Sequence, residues 1–157
     1  MTAPENGLVL GIGNELRGDD AAGMEIARRL LGRTGIPVLL AGEVPENYLG
    51  AVRERAPSRV LLLDAVDFKS APGDMALFRL DGEARLANRI PSTHSASLAL
   101  FARYLAAETG AEVWLLGVQP KSLEFGQPLS REVAAALDAA VELALKWMER
   151  RPAAMEV

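Results

Sequence analysis

Three places in this sequence carry side chains able to hold a cation or move a proton. Asp19 and Asp20 close the segment Gly11-Ile12-Gly13-Asn14-Glu15-Leu16-Arg17-Gly18-Asp19-Asp20, Asp64 and Asp67 sit in Leu63-Asp64-Ala65-Val66-Asp67, and the only histidine, His94, stands between Thr93 and Ser95. Two carboxylates and one imidazole are hard and borderline ligands with coordination positions left open, a set suited to Mn, Fe, Ni or Zn without choosing among them. Imidazole must be neutral to bind metal, so such a site is expected to weaken below about pH 6.5. Each residue also has an ordinary structural use. Asp20, or Asp19 beside it, can cap a helix and gain about 0.3–1 kcal/mol from the helix dipole. Asp64 can close an Asx-turn, Asp67 can be a solvated turn residue, and His94 an exposed or capping one. The chemical reading requires Asp20, Asp64 and His94 to approach one sheet edge from three loops.

The elements that would bring them there follow a βαβ rhythm. Apolar runs at Leu8–Gly11, Val38–Ala41 and Val60–Asp64 alternate with helical patterns at Ala21–Gly32 and Glu46–Arg55. Strands covered on both faces read as continuous Val/Leu runs, so a mainly parallel sheet is expected. Gly32 is a helix stop, Pro45 suits a first helical turn, and the second helix should end before Pro57. Asp74–Leu80 follows the turn signal Pro72-Gly73 too closely for a crossover helix, which predicts an antiparallel edge strand. A polar stretch, Asp81–Pro91, leads to His94; Ala96–Thr109 reads as a helix, Gly110 as its end and Glu112–Val118 as a buried strand. Ser130 is an N-cap for a last helix over Arg131–Arg150, and Arg151–Val157 reads as a frayed tail. The expected architecture is a three-layer α/β sandwich with a mixed, mainly parallel five-stranded sheet. One domain should span 1–157, with its core at about 8–150.

Competing chemistries fit less well. Strand–Gly-x-Gly–helix suggests a nucleotide loop, with Glu43 in the place of a ribose-binding acid, but Leu16 stands where the third glycine belongs. Asp19 and Asp20 would also repel a pyrophosphate. Ser92, Ser95 and Ser97 surround His94, yet no Gly-x-Ser-x-Gly elbow occurs. An aspartic dyad of Asp20 and Asp64 leaves His94 without a role.

Composition narrows the field further. The 157 residues carry a net charge of −4, and their 17 basic residues form no stripe, so no nucleic-acid partner is expected. The absence of cysteine excludes disulfides and thiolate chemistry, and a single histidine excludes a zinc site built from several imidazoles on one chain. No apolar run approaches the ~20 residues of a membrane helix. The first residues, Met1 to Gly7, show neither a basic leader nor an apolar signal core, so a soluble, cytoplasmic protein is expected.

The Gly11-Ile12-Gly13-Asn14 to Asp19-Asp20 segment, Asp64-Ala65-Val66-Asp67 and Thr93-His94-Ser95 together resemble the [NiFe]-hydrogenase maturation proteases. Val44-Pro45-Glu46-Asn47 and Leu116-Gly117-Val118-Gln119-Pro120 are similar to the branch that processes the large subunit of hydrogenase 3-type enzymes. The resemblance runs from about Leu8 to Trp147. It implies an α/β sandwich and an endopeptidase that removes the C-terminal extension of a large-subunit precursor after nickel insertion. It also implies that Asp20, Asp64 and His94 are the metal-binding and catalytic residues, and that the nickel arrives with the substrate protein. The family's pattern has glycine after the paired acids, where this chain has Ala21. A non-enzymatic nickel chaperone using the same three ligands is the alternative of a different class.

Overall fold

The computed structural model describes residues 6–80 and 93–149, the first four of the second stretch by their backbone alone. Five strands form one sheet: β1 (Gly7–Ile12), β2 (Val38–Gly42), β3 (Arg59–Ala65), β4 (Met75–Arg79) and β5 (Glu112–Val118). Their order across the sheet is β2-β1-β3-β5-β4; every pair is parallel except β4 with β5. The antiparallel edge strand is therefore present as expected, with Leu77 opposite Leu116 and Phe78 opposite Leu115.

Among the described residues four α-helices cover the sheet: α1 (Ala22–Leu30), α2 (Leu49–Arg55), α3 (Thr93–Thr109) and α4 (Arg131–Glu149). Side chains alternate along each strand, so the core divides into two layers. On one face Leu8, Leu10, Val60, Leu62 and Leu115 pack with Val52 of α2 and with Leu98, Phe101, Ala102 and Leu105 of α3. On the other, Val9, Leu61, Leu63 and Trp114 pack with Ile26, Ala27 and Leu30 of α1 and with Val133, Leu137, Ala140 and Val141 of α4. The spacings 98-101-102-105 and 133-137-140-141 are those of one helix face.

Helix ends follow local chemistry. The Ser130 hydroxyl accepts the Val133 N–H at 3.3 Å, as an N-cap does, and Gly32 and Gly110 leave α1 and α3 at φ of +79° and +73°. Two details differ from expectation. The second helical segment opens as a 3₁₀ turn over Pro45–Tyr48 before α2 begins, and α3 starts at Thr93, which places His94 inside its first turn. The expected connector Asp81–Pro91 and tail Arg151–Val157 lie outside the described residues.

Opposite the carboxyl edge, one buried cation ends α4. The Arg59 guanidinium donates to the carbonyls of Trp147 and Met148 and lies 4.2 Å from the centre of the Trp147 ring. Those carbonyls belong to the last turn of the helix, where a positive charge is favoured by the dipole. None of the helices among the described residues is long and apolar enough to cross a membrane.

A tight joint in the fold lies between α1 and the sheet. A Cβ on Gly23 would stand 2.2 Å from the Leu63 carbonyl oxygen and 2.4 Å from that of Ile12. Both obstacles are strand backbone and cannot step aside. Gly23→Ala is therefore expected to lower folding stability by about 3 kcal/mol, against about 1 kcal/mol for Gly32→Ala, where the only penalty is the left-handed backbone. Denaturant unfolding of both variants checks this; equal losses would show that the contact with the strands is not limiting.

Candidate active site

In the strand order β2-β1-β3, the chain leaves β1 toward one side to make β2 and then crosses to the other side of β1 to make β3. The carboxyl ends of β1 and β3 are thus the switch point of the sheet, where open α/β folds form a crevice. The loop after β1 enters it with a reversed backbone. Gly13 has φ of +136°, and a Cβ there would lie 1.9 Å from the Asp20 carbonyl oxygen, so the loop folds back upon its own end. The Asp20 carboxylate accepts the Asn14 N–H at 2.8 Å, and the Asn14 side chain accepts the Leu16 N–H at 2.8 Å. Asp20 consequently sits in a 3₁₀ turn over Gly18–Ala21 and does not cap α1, whose N-cap position is Ala21 without a side-chain bond. The tip is tied to α1 by a two-point ion pair in which Arg28 donates to both oxygens of Glu15 at 3.0 and 2.6 Å. That guanidinium holds the Glu15 carboxyl below its ordinary range, chiefly through the hydrogen bonds.

Asp19 does something the sequence does not reveal. Its side chain is fully buried and accepts three backbone N–H groups from a segment about a hundred residues away: Lys121 at 2.8 Å, Ser122 at 3.3 Å and Ser130 at 2.7 Å. Three donors replace the water that burial removes. The expectation of Asp19 as a cap of α1 is thus corrected: it organises the 121–130 loop. The pairing of this loop with the β1–α1 tip is completed by Asp19 N–H to Ser122 carbonyl (2.9 Å), Gly18 N–H to Gln127 carbonyl (3.1 Å) and Gly126 N–H to Leu16 carbonyl (2.7 Å). A cavity of about 730 Å³ lies along the loop and the start of α4, lined in part by Lys121, Glu124, Arg131 and Glu132. Asp19 borders it, but its oxygens are already committed to the three amides.

Asp64 is the penultimate residue of β3 and is fully buried, with one carboxylate oxygen accepting the Ala65 N–H at 2.8 Å. By strand alternation it shares a face with Val60 and Leu62, the side covered by α2 and α3. It is held within the strand and not in an Asx-turn beyond it. Asp67 does take the turn role, accepting the Lys69 N–H at 3.0 Å, but it also accepts Gln119 Nε2 at 3.1 Å. The Lys69 amide first and the Gln119 amide second hold its carboxyl below the ordinary value of 3.8. This bridge is complete at neutral pH and is lost only as acid carries the carboxyl through its lowered value. Gln119 itself is buried, its side-chain oxygen receiving the Phe68 and Ser70 N–H groups at 2.9 and 3.2 Å.

An open cavity of about 410 Å³ occupies this edge, with Asp20, Glu43, Asp67 and Arg17 among its charged walls and Ala65, the neighbour of Asp64, in its lining. The third expected residue reaches the same edge by topology. Only Gly110 and Ala111 separate α3 from β5, so α3 runs back along β5; its 17 residues span about 25 Å and the 7 residues of β5 about 23 Å. The first turn of α3, with His94, therefore stands at the carboxyl edge. The His94 side chain lies outside the described residues, as does its relation to the two acids. Among the described residues no three His, Cys, Asp or Glu side chains group closely enough to hold a metal ion.

A family model for HycI, hydrogenase maturation protease, matches residues 23–147. The chain belongs to the hydrogenase maturation protease family. The matched range takes in Asp64 and His94 and begins three residues after Asp20. The hydrogenase 3 maturation protease of Escherichia coli K12 is 30% identical over 142 residues, covering 89% of each chain. Among solved structures, the [NiFe]-hydrogenase maturation protease HycI from Thermococcus kodakarensis KOD1 superposes with a TM-score of 0.77 at 30% identity over 92% of both chains. The hydrogenase maturating endopeptidase HybD from E. coli gives 0.73 at 29% identity, covering 90% of this chain and 91% of that one. Fold and enzyme class thus agree with the sequence reading: this protease is an endopeptidase on a mainly parallel five-stranded sheet.

The buried Asp19 carboxylate gives this protease a measurable dependence. Asp19→Asn turns one acceptor oxygen into an NH2 group facing an amide donor, and a buried donor left unsatisfied costs about 1–3 kcal/mol. We expect a loss of about 2–3 kcal/mol together with faster amide hydrogen exchange in 121–130. A variant within 0.5 kcal/mol of the wild type would rule out this organising role.

Proposed function

We propose that this protease removes the C-terminal extension of a [NiFe]-hydrogenase large-subunit precursor once nickel is in place, and that Asp20, Asp64 and His94 face the nickel the precursor carries. The observation that supports it best is the acid-lined cavity at the switch point, with Asp20 in its wall and Asp64 one residue behind its lining, in a chain of this family. The nickel is treated as part of the substrate. Asp20 and Asp64 supply anionic oxygens and His94 a neutral ring nitrogen, a donor set that suits nickel. Docking of the precursor raises the local concentration of its bound ion, so weak affinity for the free metal is no obstacle. Once there, the ion polarises the scissile peptide or the water that attacks it, and metal loading becomes the condition for cleavage. The processing is assigned to the cytoplasm.

The test is to incubate the purified protein with nickel-loaded and nickel-free precursor and to follow the mass of the large subunit. Cleavage of the loaded form alone is expected, with Asp20→Ala and His94→Ala each at least 100-fold slower. Equal trimming of both forms, or full activity in either variant, would defeat the gating role. A precursor that loses nickel but stays uncut would favour metal transfer.

A further inference from the structure

Seven large apolar side chains stand exposed among the described residues, and four of them lie in segments that contribute to the walls of the cavity that holds Asp20. Leu16 (63% exposed) and Phe125 (68%) sit on the paired β1–α1 tip and 121–130 loop, where the Leu16 carbonyl accepts the N–H of Gly126, the residue after Phe125. Leu123 lines the cavity itself, and its carbonyl accepts Arg17 Nε at 3.3 Å. Val44 follows Glu43, which also lines the cavity. Exposure of single apolar residues is ordinary, but a cluster rimmed by charge marks a contact surface.

The backbone beneath this cluster is firm. Three backbone hydrogen bonds join the two loops, the Asp19 carboxylate accepts three more, and the Glu15–Arg28 pair fixes the tip to α1. The surface is thus largely pre-formed, so little ordering is needed when something binds to it. It is continuous with the cavity, and the cavity's charged walls are three carboxylates against one guanidinium, which favours an occupant carrying positive charge next to apolar side chains.

We propose that Leu16, Leu123 and Phe125 form the docking ridge for the protein substrate of this endopeptidase, holding apolar residues within a few positions of the scissile bond while the cationic part of the substrate enters the acid-lined cavity. The inference rests on the function proposed above and adds the substrate's chemistry: a polypeptide segment with apolar side chains beside the cleavage point. Binding on the ridge takes place before and during the reaction alike, so the ridge sets KM and leaves the chemical step alone.

Steady-state cleavage of a nickel-loaded large-subunit precursor by the full chain decides it. Leu16→Ser/Phe125→Ser is expected to raise KM at least tenfold with kcat within twofold of wild type and an unchanged melting temperature, both side chains being exposed. Phe125→Leu should restore most of the affinity. Leu31→Ser, at another exposed apolar site (48%) at the far end of α1, should leave KM as it is. An unchanged KM in the double variant, a fall in kcat alone, or the same rise in Leu31→Ser would overturn the ridge. A wild-type chain that self-associates through this surface, shown by a dimer in sedimentation that the double variant loses, would assign it to a second copy. Failure of the wild type to cleave the precursor would defeat the functional reading, an outcome distinct from a ridge variant that cleaves normally.

Discussion

The site depends on how closely α1 can approach the strands it crosses. Gly23 brings the first turn of the helix onto the Ile12 and Leu63 carbonyls, and Gly13 lets the loop's reversed backbone pass directly under the Asp20 carbonyl. Neither position has room for a single additional carbon. Glycine inside a helix costs about 0.5–1 kcal/mol relative to alanine, less than the overlap that alanine would create here. The consequence is positional: Asp20 is delivered to the switch point between β1 and β3 because the segment that carries it cannot stand further away.

Two adjacent acids then act in opposite directions. Asp19 turns inward and gives its oxygens to three amides of a segment about a hundred residues later, while Asp20 faces the cavity with one bond to Asn14. A buried carboxylate is expensive unless its oxygens are matched, and here the matching N–H groups belong to a loop that is largely exposed. The exchange works for both partners: the carboxylate is satisfied, and the loop acquires a defined shape. Gln119 does similar work at the β3–β4 turn, where it receives two amides and steadies Asp67. The walls of the cavity are therefore fixed by side-chain-to-backbone bonds that join distant stretches of chain.

Much of the scaffold was legible beforehand because its signals are local. Apolar runs marked the strands of the βαβ units, Pro72-Gly73 predicted the antiparallel edge, and Ser130 begins and Gly32 ends a helix as their chemistry requires. Besides the start of α3, the boundaries that slipped were those where a 3₁₀ turn precedes a helix, at Gly18–Ala21 and Pro45–Tyr48. An acid before a helical pattern looks like a cap whether or not an α-helical turn follows at once, and that is why Asp20 was open to the wrong structural role.

The sequence by itself determined the layers, the strand directions and the type of donor available to the site, since periodicity, turn residues and side-chain chemistry are properties of short stretches. It also carried the family, through motifs met in a fixed order. Which of two neighbouring aspartates turns inward was decided only by tertiary structure, as was the pairing of Leu16 with the 121–130 loop and the placing of Leu123 in the same cavity wall as Asp20. These depend on contacts between residues roughly a hundred positions apart, and no local pattern records a partner at that distance.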